Sequence, residues 1–421
     1  MTVFFKKSIP FVGLLFIITS CSVNKNIQSK NTTLNPTTTG TQKQIRLSQP
    51  INFKTGADNF ENYLPLLKDK KVGVVSNQTG VLTNKTHLVD FLLANAINVE
   101  KIFAPEHGFR GTADAGELIV DGKDTKTGLP IISLYGANKK PKPEQLEGID
   151  ILVFDIQDVG ARFYTYISSL HYVMEACAEN NIPLLVLDRP NPNGFIIDGP
   201  ILEKEFTSFV GMHPVPVLYG MTIGEYAQMI NGENWLHSTI DSEQALQCNL
   251  KVIPCKNLKR EDLFFDWNYK WVNPSPALQN FEACLLYPGL CLFEATNVSV
   301  GRGSDYSFEW IGASWFNMPA IVMVWQNILK DDIKIETLRL TMLVDNEIED
   351  IKGIRIKVIA PNAFNPVLTG LIFLKLIKDI HPQDFKWQPY PTNVNPTGAN
   401  HLSLLLGIPD AEKLFDLPLK D

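Results

Sequence analysis

Three short apolar runs each break off into a cluster of polar side chains. Ile102-Phe103 leads into Ala104-Pro105-Glu106-His107-Gly108-Phe109-Arg110-Gly111. Val153-Phe154 leads into Asp155-Ile156-Gln157-Asp158-Val159-Gly160-Ala161-Arg162, and Leu185-Val186-Leu187 into Asp188-Arg189-Pro190-Asn191-Pro192-Asn193-Gly194. Carboxylates can move protons, guanidiniums grip anions through two parallel hydrogen bonds, and side-chain amides bind hydroxyls. Glu106 stands out because Pro105 and Gly108 fix the chain around it directly after an apolar run. A carboxylic acid held against apolar walls can serve as a general acid. Each residue also has a structural use. Asp155 and Asp188 suit helix caps or loop anchors, Arg162 and Arg189 suit ion pairs with them, and His107 suits a core position. Asn191-Pro192-Asn193-Gly194 reads as a turn by composition alone.

These clusters need strands to carry them. The pattern predicts strands at Val72–Val75, Glu100–Ala104, Ile131–Leu134, Ile149–Asp155 and Pro183–Leu187. Helical periodicity falls between them, at His87–Ala96, Tyr164–Glu179 and Thr222–Asn231, the last with Thr222 and Glu225 spaced as a capping box. Buried strands alternating with helices predict a Rossmann-like parallel sheet covered by helices on both faces. In such sheets ligands bind outside the carboxyl ends of the strands, which is where the three clusters stand. After about Leu290 the texture changes to a Gly- and Ser-rich stretch at Asn297–Asp305, an alternating strand at Ile351–Ile359 and a helix at Pro366–Ile380. The expected division is a catalytic domain over residues 51–290 and a smaller C-terminal α+β domain over 291–421.

Composition narrows the chemistry. The 421 residues are 45% hydrophobic and 20% charged, which excludes a disordered or fibrous chain, and the net charge of −7 argues against a nucleic-acid partner. Lys6 and Lys7 precede an apolar run, Ile9 to Ile18, that ends in Thr19-Ser20-Cys21. Ten apolar residues are too few to span ~30 Å of hydrocarbon. The pattern resembles a bacterial lipoprotein signal over residues 1–21 with Cys21 as the lipidated residue, giving membrane contact through Cys21 alone. Residues 22–50 hold no acid and no aromatic and read as a flexible tether with an r.m.s. reach of about 30 Å. The expected location is the cell envelope, on the periplasmic side. Five further cysteines lack a CxxC pair; Cys177 reads as a buried small hydrophobe, and spacing allows Cys248–Cys255 or Cys284–Cys291 bridges.

The sequence has no GxSxG elbow, no phosphate-binding GxxxxGK[ST] and no HExxH, and Gly301-Arg302-Gly303 lacks a strand–helix frame. No metal or cofactor is expected. What remains is carboxylate acid–base work on a polar ligand, of which glycoside cleavage is the commonest example.

The motifs together resemble the exo-β-N-acetylmuramidase (NamZ-type) family. They are Ser76-Asn77-Gln78-Thr79-Gly80, the three strand-end clusters, Asp114-Ala115-Gly116-Glu117, Asp198-Gly199-Pro200, Val210-Gly211-Met212-His213-Pro214, Tyr219-Gly220-Met221-Thr222 and Gly301-Arg302-Gly303. The match runs from about Lys71 to Asn317. It implies a Rossmann-like domain, a smaller partner and a cleft between them. It also implies an enzyme that removes N-acetylmuramic acid from the non-reducing end of peptidoglycan fragments. On that basis Glu106 is the principal catalytic acid, and Asp155, Asp158, Glu117 and Glu294 are candidates for the second acidic role, unless the substrate's acetamido group attacks. Arg110, Arg162 and Arg302 are candidates to bind the lactyl carboxylate of muramic acid. Asn77, His107, Gln157, Asp188, Arg189, Asn191 and Asn193 would line the sugar site, and Tyr164 and Tyr166 would form a stacking wall. The partners are the sugar substrate and the membrane, with room for a homodimer. Two other readings stay open: a non-catalytic glycan-binding lipoprotein, and a metal-dependent phosphoester hydrolase using His107 with Asp155 and Asp188.

Overall fold

Strands buried on both faces need paired neighbours at each side and helices above and below. The computed structural model describes residues 52–110, 121–238, 244–267, 269–328, 332–344, 347–393 and 395–418. Its strands are β1 (Lys71–Ser76), β2 (Asn98–Ala104), β3 (Gly122–Lys123), β4 (Pro130–Ser133), β5 (Ile151–Asp155), β6 (Leu184–Leu187), β7 (Asp198–Ile201), β8 (Pro216–Leu218), β9 (Leu250–Ile253), β10 (Trp310–Gly312), β11 (Ile333–Val344) and β12 (Glu347–Val358). Its helices are α1 (Leu64–Leu67), α2 (Leu88–Ala94), α3 (Pro143–Leu146), α4 (Tyr166–Glu179), α5 (Ile223–Gly232), α6 (Phe281–Leu290), α7 (Met318–Ile328), α8 (Pro366–Ile380) and α9 (His401–Leu406).

Seven strands form one sheet in the order β3-β4-β2-β1-β5-β6-β9, all parallel except β3. All four residues of β6 are buried, as are Leu152 to Asp155 of β5. The chain leaves β1 toward β2 and β4, then returns to lay β5 on the other side, so strand order reverses between β1 and β5. Helix α5 starts on the expected capping box, with the Thr222 side chain accepting from the Glu225 amide and Glu225 accepting from the Thr222 amide. Helix α8 spans the expected residues, while α2 uses the His87 ring as its N-cap, accepting from the Val89 amide.

The C-terminal part carries α6 to α9 and a three-stranded antiparallel sheet, β10-β12-β11. The expected strand at Ile351–Ile359 is the second arm of a long hairpin whose first arm, β11, is not among the expected strands. The described residues from 52 onward pack as one compact unit, and one hydrophobic cluster runs from Val75 and Phe154 through Leu292 and Phe293 to Ile354, Phe373 and Leu406. Among the described residues the five cysteines are all free, including Cys177 in the core, so neither bridge allowed by spacing is formed.

Helices α6 and α8 touch backbone to backbone. A Cβ on Gly370 would meet the Gly289 carbonyl, and a Cβ on Gly289 would meet that of Pro366. Overpacking of this kind costs about 1–3 kcal/mol. Gly370→Ala is therefore expected to destabilise the protein by that amount in denaturant titration, whereas Gly232→Ala, where a Cβ meets nothing within 4 Å, is expected to leave stability unchanged or raised.

Candidate active site

The loop after β2 is built to present one carboxylate. His107 and Gly108 both take left-handed backbone angles, φ 71° and 75°, and the Gly108 amide donates to the Pro105 carbonyl at 3.1 Å. A non-glycine residue in that region costs about 1–3 kcal/mol, so neighbouring contacts must hold it. Phe109 is buried edge-on against His87 with centroids 4.8 Å apart, and the Arg110 guanidinium lies 4.4 Å over the Phe109 ring. Arg110 then grips Asp124 through bonds of 2.8–3.0 Å. Arg110 thus anchors the turn, and it does not line the cavity described next.

Glu106, half-buried, reaches a cavity of about 510 Å³. Thr165 Oγ1 donates to its Oε2 at 2.8 Å, and the Tyr135 phenol is hydrogen-bonded to the same carboxylate. Burial, and then the charge of Glu106, push the Tyr135 phenol well above its usual range, so it stays a donor. Asn393 meets Tyr135 from the C-terminal part. Rings line the cavity onward from there. Tyr166 and Tyr164 stand edge-to-face at 5.0 Å, Tyr164 and Tyr287 at 5.8 Å, and Tyr287 and Phe308 at 4.9 Å. Arg302 lies 4.8 Å over Phe308.

That row ends at a second acidic group. Arg302 Nε and Nη2 both reach Glu294 Oε1, at 2.7 and 2.6 Å, and the Tyr390 hydroxyl donates to the same oxygen at 3.3 Å. Cys291 Sγ lies 3.4 Å from Glu294 Oε2. Burial opposes the charge on Arg302, but the Glu294 carboxylate more than offsets it and raises the guanidinium pKa. His401 lines the same end of the cavity.

Several expected site residues stand elsewhere. Asp155 and Arg189 form a fully buried two-bond ion pair, 2.6 and 2.9 Å, and Arg189 also donates to Tyr269 and the Val81 carbonyl. Asp188 holds Thr222 Oγ1 and the Gly224 amide at the start of α5, and burial raises its pKa to about 6. His107 lines the cavity, but Asp155 and Asp188 are committed to these partners. Among the described residues no group of three or more His, Cys, Asp or Glu side chains is arranged to hold a metal ion.

Asp158 is buried under the Tyr219 hydroxyl and the Gly160 amide, and Gln157 donates to the Asp158 and Pro190 carbonyls. Asn77 bonds Tyr166 and Thr79; Asn191 bonds the Met221 carbonyl and the Asn193 amide; Asn193 bonds the Val159 and Cys284 carbonyls. Arg162 gives its guanidinium to the carbonyls of Pro200, Val215 and Leu405, and burial lowers its pKa to about 10. None of these lines the cavity. Of the expected set, Glu106, His107, Tyr164, Glu294 and Arg302 do, as does Tyr166. Glu117 and Cys21 lie outside the described residues.

Sequence reasoning missed Tyr135, Thr165, Ser275, Tyr287, Tyr390, Asn393 and His401, all of which line the cavity. A signal existed for two of them. Pro389-Tyr390-Pro391-Thr392-Asn393 has the Pro and Asn content of a fixed loop, as does the Asn191–Gly194 stretch.

Two carboxylates line one ring-lined cavity, Glu106 from the loop after β2 of the Rossmann-like sheet and Glu294 from the turn after α6, and a pair of acids of this kind is what a glycoside hydrolase uses. The family model described as exo-β-N-acetylmuramidase NamZ, N-terminal, matches residues 72–282, and its C-terminal counterpart matches residues 285–416. The chain belongs to that family. It is 40% identical over 338 residues, 79% of each chain, to the peptidoglycan β-N-acetylmuramidase NamZ of Bacillus subtilis strain 168. It also resembles two solved DUF1343 family proteins from Bacteroides fragilis NCTC 9343. One matches at TM-score 0.77 and 30% identity, covering 87% of this chain and 92% of that one. The other matches at 0.63 and 34%, covering 87% and 91%.

Asp158 gives a pH test of the buried network. Burial pushes its carboxyl up to about 7, outweighing the hydrogen bonds from Tyr219 and the Gly160 and Val159 amides. The folded protein then holds a proton there that the unfolded chain releases above about pH 3.9, so stability falls as pH rises from about 4 to 7. Asp158→Asn keeps the neutral shape and is expected to gain stability relative to the parent steadily across that window. Urea midpoints at pH 4, 5.5 and 7 measure it, and a constant difference would refute the buried neutral acid.

Proposed function

We propose that this chain is an exo-acting glycoside hydrolase that releases N-acetylmuramic acid from the non-reducing end of peptidoglycan fragments, in cell-wall turnover or recycling. The observation that carries this reading is Glu106, held by Thr165 and Tyr135 at the wall of a cavity large enough for a sugar. In this role Glu106 hands a proton to the leaving glycosidic oxygen, and general acid catalysis of this kind is worth about 10²–10⁴-fold. Glu294 is the described candidate for the second acidic role that reaches the cavity, and Arg302 is the described candidate cation for the lactyl carboxylate. The muramidase name of the Bacillus subtilis relative supports the substrate class.

A digest of muramic-acid-terminated fragments tests the reading. The parent protein is expected to release N-acetylmuramic acid, and Glu106→Gln, with an unchanged melting temperature, is expected to lose at least a hundredfold in kcat. Activity within tenfold of the parent removes the acid role from Glu106. Sugar binding without turnover by the parent would favour a carrier instead.

We also propose that the protein acts in the cell envelope, tethered by a lipid on Cys21. Its support is the pattern of Lys6, Lys7, the apolar run and Thr19-Ser20-Cys21, followed by 29 residues free of acids and aromatics. Cys21→Ser is expected to abolish incorporation of labelled palmitate and to move the protein from the membrane pellet to the soluble fraction.

A further inference from the structure

His401 is only 6% exposed, yet among the described residues neither of its ring nitrogens has a hydrogen-bond partner. A buried polar atom left unpaired costs about 1–3 kcal/mol, so two on one ring call for a ligand. The ring lines the cavity and lies 4.9 Å from that of Tyr390. Its Nε2 is 4.0 Å from Glu294 Oε2, beyond hydrogen-bond reach. The helix that carries the ring is also held firmly. Leu402, Leu405 and Leu406 of α9 are buried, Arg162 donates to the Leu405 carbonyl at 2.9 Å, and the Glu203 amide donates to Gly407 at 2.8 Å.

The charges around it define what would satisfy it. The cavity-lining charged groups at this end are Glu294 and Arg302, which neutralise each other. Cys291 and Tyr390 stand beside Glu294, and burial pushes the thiol and phenol up, so both stay neutral. The remaining elements packed on α9 bring Glu412, 3.5 Å from Ser403 Oγ, and Asp198, whose Oδ2 accepts from the Val367 and Leu368 amides. The buried Arg162 guanidinium also reaches α9, but it is spent on the Pro200, Val215 and Leu405 carbonyls and does not line the cavity. A sugar carboxylate entering this end would therefore meet Arg302 already paired with Glu294 and find His401 as a lining group with open hydrogen-bonding positions.

We propose that His401 is the specificity residue for the lactyl carboxylate, taking up one proton as that carboxylate seats beside Arg302. The inference rests on the muramidase reading and goes beyond it, because it makes muramide recognition proton-coupled. Burial lowers the free imidazole, against the pull of Glu294, so His401 starts neutral near pH 7. The bound carboxylate supplies the counter-charge that holds the added proton. A plain glucosaminide, lacking the carboxylate, supplies none. Glu106 and His107 also line the cavity, with Glu106 bonded to Thr165, so any proton they take up is separated from that of His401 by the His401→Gln arm.

Calorimetry of the parent protein with N-acetylmuramic acid and with N-acetylglucosamine, in buffers of different ionisation enthalpy, measures the coupling. Uptake approaching one proton per molecule is expected for N-acetylmuramic acid above pH 6.5 and not for N-acetylglucosamine. The muramic acid Kd should accordingly rise up to tenfold per pH unit until the bound imidazole loses its proton. His401→Gln should abolish the uptake and the preference while keeping N-acetylglucosamine affinity. Equal uptake for the two sugars, or uptake that persists in His401→Gln, overturns the assignment. If His401→Gln melts early, the difference between sugars in the parent protein decides alone. Turnover of muramides with no selective uptake would sink this inference and leave the muramidase reading standing. No turnover by the parent would sink both.

Discussion

Arg162 has no solvent exposure, and its guanidinium donates to carbonyls of Pro200, Val215 and Leu405. These belong to β7, to the segment before β8, and to α9, so one side chain from the loop after β5 fixes the helix that presents His401. The close contact of α6 and α8 at Gly289 and Gly370 does the matching work for Glu294, which follows α6 directly. A cavity lined from distant parts of the chain keeps its shape only if the parts cannot slide. A buried cation bonded to three carbonyls resists sliding because each broken bond strands a polar group away from water.

The same economy explains the strand ends. Where strand order reverses between β1 and β5, a parallel sheet leaves a crevice that commonly holds a ligand. Asp155 and Arg189 fill that region as an ion pair, joined by Tyr269 and the Val81 carbonyl. Asp188, Asn191, Asn193 and Gln157 satisfy loop amides and carbonyls around it. The reacting cavity is displaced toward the loop after β2, where Glu106 meets Thr165 of the next polar loop and Asn393, through Tyr135, from the C-terminal part.

Much of this was legible in the sequence. The parallel sheet, its helices and the α5 capping box follow from local periodicity and spacing, and Glu106 was singled out by Pro105 and Gly108 around it. The roles of the other polar residues were not legible. A buried Asp that clamps an Arg and an Asp that meets a sugar have the same neighbours in sequence, since both need a strand end and a tight loop. Arg110 shows the difficulty, because it stands three residues after His107 and yet turns to Asp124 and the Phe109 ring. Strand β11 alternates as clearly as β12, at Ile333 and Ile335 and again at Leu338, Leu340 and Met342, so its place was open to a local reading, whereas Tyr287 stands in α6, where Glu282 is the one charged residue and no polar face marks the inward side.

Local chemistry in the sequence by itself determined which segments become strands and helices, that an acid would stand at the end of β2, and that the chain would resemble a sugar-cleaving family. Tertiary structure alone decided which acids share a cavity. Glu106 and Glu294 are brought to one row of rings by contacts such as Tyr164 with Tyr287, more than a hundred positions apart, while Asp155 and Asp158 are closed off by Arg189 and Tyr219, 34 and 61 positions away. Periodicity and capping act over a few residues and can be read along the chain. Burial and pairing depend on what the fold lays alongside, and no local spacing records that.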